Sequence, residues 1–73
     1  MKYVIVIEWD EFRWSGHIPD LPDVWADGDT PEEVATRLGR AAQGHIEALR
    51  ESGQAIPEPR AHVQEIDVSI DAA

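Results

Sequence analysis

Residues 19–33 read Pro19-Asp20-Leu21-Pro22-Asp23-Val24-Trp25-Ala26-Asp27-Gly28-Asp29-Thr30-Pro31-Glu32-Glu33, and they punctuate the chain twice. Pro19 and Pro22 stop one extended segment, because proline fixes its own φ and has no N–H for a ladder. Gly28-Asp29-Thr30-Pro31 ends a second segment and opens a helix. The Thr30 hydroxyl is a natural N-cap, able to accept from an otherwise orphan amide of the first turn. Pro31 then stands at the first helical position, where a missing N–H costs nothing, and Glu33 completes a Thr-x-x-Glu capping box. Glu32 and Glu33 also bring negative charge to the positive end of the helix dipole.

Working outward, the residues before this stretch form a β-hairpin. Residues 2–9 alternate with the two-residue period of a strand, Tyr3, Ile5, Ile7 and Trp9 on one side and Lys2, Val4, Val6 and Glu8 on the other. Asp10-Glu11 serves as a two-residue turn or the centre of a slightly longer loop, since it lacks the Asn-Gly or Asp-Gly signature of a tight hairpin. Phe12 to Ile18 alternates again. A short third strand runs from Val24 to Gly28, with Val24, Ala26 and Gly28 opposing Trp25 and Asp27.

Beyond Pro31 the period changes to that of a helix reaching about Ser52. Val34, Leu38, Ala42, Ile46 and Leu49 trace one stripe, flanked by Ala35, Ala41 and His45. Gly53 follows as the residue that closes the helix in a left-handed conformation. Gly39 and Gly44 are discordant, each costing roughly 1 kcal/mol relative to alanine. Ala35, Gly39 and Ala42 lie near one another, so the close approach of another backbone is one explanation and a tolerated weakness the other. Gln54 to Pro59 is an extended connector. A last strand is expected from about Ala61 to Ile70, where Ile66, Val68 and Ile70 alternate with Glu65, Asp67 and Ser69, and residues 71–73 form a frayed tail.

The order β-β-β-α-β predicts an α+β fold, a two-layer sandwich of one antiparallel sheet covered by one helix. The helix stripe should bury against the Tyr3/Ile5/Ile7/Trp9 and Ile66/Val68/Ile70 face. The opposite face would carry Val4, Val6, His17 and Trp25, and an uncovered face of that kind is a candidate partner site.

Composition sets the outer bounds. Seventy-three residues make a single domain over 1–73. A domain this small buries only about 60% of the surface that its unfolded chain exposes. There is no cysteine to staple it, so oligomerisation or a partner is the expected extra source of stability. No apolar run approaches the roughly 18–20 residues needed to span a bilayer, and Met1–Ile7 has too short an apolar stretch for a signal peptide. A cytoplasmic protein is expected. Fifteen acidic residues against six basic give a net charge of −9. Phosphate backbones repel such a surface, so direct nucleic-acid binding is not expected, whereas a basic protein partner is favoured.

The sequence resembles the N-terminal domain of HicB-type antitoxins, partners of the HicA toxins of toxin–antitoxin systems. The residues that carry the resemblance are Tyr3-Val4-Ile5-Val6-Ile7-Glu8, Ile18-Pro19-Asp20-Leu21-Pro22, Gly28-Asp29-Thr30 with Glu32-Glu33-Val34, and Gly53-x-x-Ile56-Pro57-x-Pro59. They span nearly the whole chain. The resemblance implies a partial ribonuclease H-like β-β-β-α-β fold and a bacterial or archaeal protein that binds and masks a small basic HicA-like ribonuclease toxin. Two departures stand out. Asp23 occupies the position after Leu-Pro where the family usually has glycine, and a C-terminal DNA-binding domain of the kind many members carry is not expected.

Catalysis is not expected, and neither is a metal or a cofactor. Glu8, Asp10 and Glu11 and the corner residues Asp20, Asp23, Asp27 and Asp29 read as a solvated acidic rim, with nothing to make them converge on a cation. His17, His45 and His62 lack metal-ligand spacing. Ser15, Ser52 and Ser69 lack a nucleophile-elbow context. Among the tryptophans, Trp9 and Trp14 should help close the helix-covered layer. Trp25 is the candidate partner anchor, with Asp20 and Asp23 placed to steer a basic partner or, for Asp20, to cap its own turn. The alternatives are a stand-alone oligomeric scaffold or regulatory protein without a toxin, and a degenerate metal-dependent nuclease. Exposed sheet edges favour a homo-oligomer, a dimer or tetramer.

Overall fold

The computed structural model describes residues 1–71. Three strands, β1 (Val6–Trp9), β2 (Trp14–Ile18) and β3 (Leu21–Gly28), form an antiparallel sheet in the order β1-β2-β3, and one helix, α1 (Pro31–Glu51), follows. This is the expected α+β layering of a sheet under a single helix. The hairpin register pairs Val6 with His17, Ile7 with Gly16, Glu8 with Ser15 and Trp9 with Trp14. On the other side of β2, Gly16 faces Ala26 and His17 faces Trp25, with a bulge between His17 and Ile18.

Local chemistry accounts for the joints. The hairpin loop runs Asp10–Arg13, longer than two residues, because Asp10 organises it. Its Oδ1 accepts from the backbone N–H groups of Phe12 at 3.0 Å and Arg13 at 2.8 Å, and its own N–H donates to the Arg13 carbonyl. Glu11 takes the left-handed conformation at φ 81. At the helix start the Thr30 hydroxyl accepts from the Glu33 N–H at 3.1 Å. The Glu33 carboxylate pairs one turn on with Arg37, whose guanidinium also donates to the Asp27 carbonyl. At the other end Ser52 caps the helix, and Gly53 at φ 72 turns the chain out of it.

The core is small: Ile18, Leu21, Val24, Val34, Leu38 and Ala42 are buried, with Tyr3, Ile7, Trp14, Ala26 and Ile46 packed around them. The helix rests mainly on β3 and β2 and touches β1 least. Gly16 makes the close seat, since a Cβ there would lie 2.8 Å from Val34 Cγ1 and 2.9 Å from Leu38 Cδ1.

Four expectations are corrected. The first strand begins at Val6 instead of Lys2 and the second at Trp14 instead of Phe12, because β2 ends at Ile18 before Pro19 and the loop takes Phe12 and Arg13. The third strand begins at Leu21 instead of Val24; it lies at the sheet edge, where Pro22 withholds no N–H from a partner. Fourth, no strand forms between Ala61 and Ile70. That segment has no regular structure and no strand partner, so Ile66, Val68 and Ile70 do not lie under the helix but are 78%, 71% and 89% exposed. Of the frayed tail 71–73, Asp71 is exposed and the rest lies outside the described residues.

The unpaired arm sets the shape. The molecule measures 57 × 27 × 16 Å, whereas a 21-residue helix is only about 32 Å long. Its radius of gyration is 15.3 Å, against roughly 11 Å for a compact domain of this length. Two contacts hold the arm's root: the Tyr3 hydroxyl donates to the Pro57 carbonyl, and Asp20 Oδ2 accepts from the N–H groups of Arg60 and Ala61, both at 3.0 Å.

Candidate functional site

The sheet face away from the helix is uncovered. The two registers place Val6, His17 and Trp25 side by side across the three strands, a row about 10 Å wide at the usual strand spacing. Trp25 is 70% exposed, and His17 is exposed as well. Asp23, two residues before Trp25 on the same strand, projects to the same side by alternation and is exposed. Val4, two residues before Val6, lies in the extended arm ahead of β1 and is half-buried. The next row along the sheet is Glu8, Ser15 and Asp27. Arg13 lies 3.5 Å from Asp27 across it, both side chains well exposed, so this pair adds little stability.

Five of the six sequence-selected partner residues thus gather on or beside one face: Val4, Val6, His17, Asp23 and Trp25. Asp20 stands apart. Its carboxylate sits at the β2–β3 corner and receives the amides of Arg60 and Ala61, forty residues on. The structural residues fall where turn chemistry requires. Pro19 and Leu21 frame the β2–β3 corner, Pro22 lies in β3, and Gly28, Asp29, Thr30 and Pro31 make the β3–α1 junction. Trp14 packs against the core, while Trp9, 5.5 Å away between ring centroids, remains more than half exposed.

Among the described residues, no group of three or more histidines and carboxylates is placed to hold a metal ion. No helix among them is long and apolar enough to cross a membrane. One carboxyl is electrostatically distinct. The backbone N–H groups of Arg13 and then Phe12 hold Asp10 below its ordinary value of 3.8. A depressed folded-state pKa contributes stability that is present above the unfolded value and is lost as pH falls through the folded one. An NMR titration is therefore expected to place the Asp10 midpoint below 3.8, with the loop amides of Phe12 and Arg13 shifting in step. A midpoint at or above that value would contradict the loop geometry.

Sequence reasoning missed a second feature. Between the arm preceding β1 and the helix lies a groove of about 380 Å³, lined by Tyr3, Ile5 and Ile18 on the sheet side and by Ala35, Gly39, Ala42 and Ile46 on the helix side. Its only signal in the sequence was the small-residue run Ala35, Gly39, Ala42.

With this geometry in hand, comparison with known families is informative. The family model of the HicB_like antitoxin of bacterial toxin-antitoxin system matches residues 3–71. The match defines an antitoxin-type module. The chain belongs to the HicB-like antitoxin family. No curated protein and no solved structure matches it.

Proposed function

We propose that this antitoxin-type module binds and masks a small basic HicA-like mRNA interferase in the bacterial cytoplasm, using the uncovered sheet face. The observation that supports the reading is Trp25, an exposed indole in the Val6–His17–Trp25 row of a chain with net charge −9. Tryptophan anchors interfaces out of proportion to its frequency. The acidic surface accelerates encounter with a basic partner and rejects acidic ones. The same charge repels a phosphate backbone, so the ligand is the toxin and not its RNA substrate. Masking needs no bond chemistry, only occlusion of the toxin's basic RNA-binding surface.

The test is binding to the small basic protein encoded beside this chain, measured by calorimetry. Trp25→Ala is expected to weaken the complex about 30-fold, the loss of an anchor worth about 2 kcal/mol, while the thermal midpoint of the free chain stays put. Affinity should fall as salt rises, since opposite charges are screened. Failure to bind any such neighbour, or full affinity in Trp25→Ala, would sink this reading.

A further inference from the structure

We infer that the open sheet face is a receptor for an arginine side chain of the partner. The Trp25 indole takes the guanidinium by stacking, Asp23 and Asp27 on either side take its charge, and Arg13 keeps part of the place filled until the partner displaces it. That a toxin supplies the arginine rests on the preceding reading; the receptor itself rests on the chemistry of the face.

The charge of the sheet is one-sided. The three strands contain no lysine or arginine, and their charged residues are Glu8, Asp23 and Asp27. All three alternate with the core-facing Ile7, Val24 and Ala26, and so stand on the open side. Trp25 lies midway between the two aspartates along β3, a two-residue step of about 7 Å from each. It is 70% exposed, and among the described residues no ring or cation stacks on it. An apolar partner covering this indole would leave the neighbouring carboxylates desolvated and unpaired, at a cost. A cation satisfies ring and carboxylates together, because the face of an indole attracts positive charge more strongly than any other side-chain ring.

Arginine fits the place better than lysine. Its guanidinium is flat, stacks on an aromatic face and is weakly hydrated, and its forked donors can still bond sideways to a carboxylate. The chain already holds one guanidinium here. Arg13 reaches in from the hairpin loop, its Nη2 3.5 Å from Asp27 Oδ1, with 46% and 40% of the two side chains exposed. That separation exceeds the roughly 2.7–2.9 Å of a charge-assisted hydrogen bond, so the pairing is loose and replaceable. Arg13 holds its loop through its backbone N–H and carbonyl, not through its guanidinium. Truncating the side chain therefore spares the hairpin and removes a competitor.

The test follows the Trp25 indole N–H by NMR, assigned by its loss in Trp25→Leu. The full chain is titrated with two capped peptides of equal length, one alternating glycine with arginine, the other glycine with lysine. The arginine peptide is expected to bind about threefold tighter, a preference that Trp25→Leu abolishes. Asp23→Asn together with Asp27→Asn should weaken it about fivefold. Arg13→Ala should tighten it about threefold, the reverse of what losing a structural contact does. Equal affinity for the two peptides, no binding of either, or no gain in Arg13→Ala would overturn the proposal. The same variants are then measured against the small basic protein encoded beside this chain. If that protein binds but ignores Arg13→Ala and the asparagine pair, the arginine receptor falls and the toxin reading survives. If it does not bind while the arginine peptide does, the toxin reading falls and the receptor stands.

Discussion

Gly16→Val is expected to lower the thermal unfolding midpoint by about 10 °C or more. Gly16 sits at the centre of β2, facing Ile7 on one side and Ala26 on the other, directly under the helix. A Cβ there would lie 2.8 Å from Val34 Cγ1, 2.9 Å from Leu38 Cδ1 and 3.0 Å from the Val6 carbonyl oxygen. The first two groups belong to side chains with no exposed surface, and the third is backbone, so none can move aside freely. Overpacking of this kind costs about 1–3 kcal/mol, and in a domain this small each kcal/mol moves the midpoint by roughly 4–8 °C. Valine sits at the upper end because it adds two more methyl groups to the same space. Circular dichroism melts of Gly16→Ala and Gly16→Val should form a descending series. An unchanged midpoint for both would mean that the helix does not rest where the structure places it.

Leu38→Ala is expected to be costlier still. Leu38 has no exposed surface and lies at the middle of the six-residue core. Truncating a buried leucine removes its transfer free energy and leaves a cavity, together about 2–5 kcal/mol. A chain of this length has roughly 4–11 kcal/mol of stability in total, so the substitution takes a large fraction of it. Urea unfolding should show a midpoint displaced far to the left. Serine at Ile66 under the same conditions is the control, because that side chain has no core to leave. A loss under 1 kcal/mol for Leu38→Ala would place the core elsewhere.

The helix was readable because its signals are local. Thr30, Pro31 and Gly53 each act within one turn of themselves, and all three do in the structure what their chemistry demands. The hairpin was readable from alternation, although its loop was not sized until Asp10 was seen gathering two amides. Pro22 was misleading. A proline ends a central strand but not an edge strand, and edge position is a property of the whole sheet. The last segment shows the same limit more sharply. The alternation of Ile66, Val68 and Ile70 is a real strand pattern, but a strand needs an edge to pair with, and which chain supplies that edge is not written in the pattern. The clasp between Asp20 and the amides of Arg60 and Ala61 spans forty residues and carries no local signature. As for the candidate face, alternation alone brought Val6, His17 and Trp25 to one side, while the groove needed the helix placed before it existed.

The projecting arm has a further consequence for how the protein behaves when concentrated. A bare, oily ribbon invites endless stacking of like upon like. Here Glu65 and Asp67 interrupt it at every second position. Any in-register pile of identical arms would set carboxylate on carboxylate about 4.8 Å apart, and fibre growth would be opposed at each added layer.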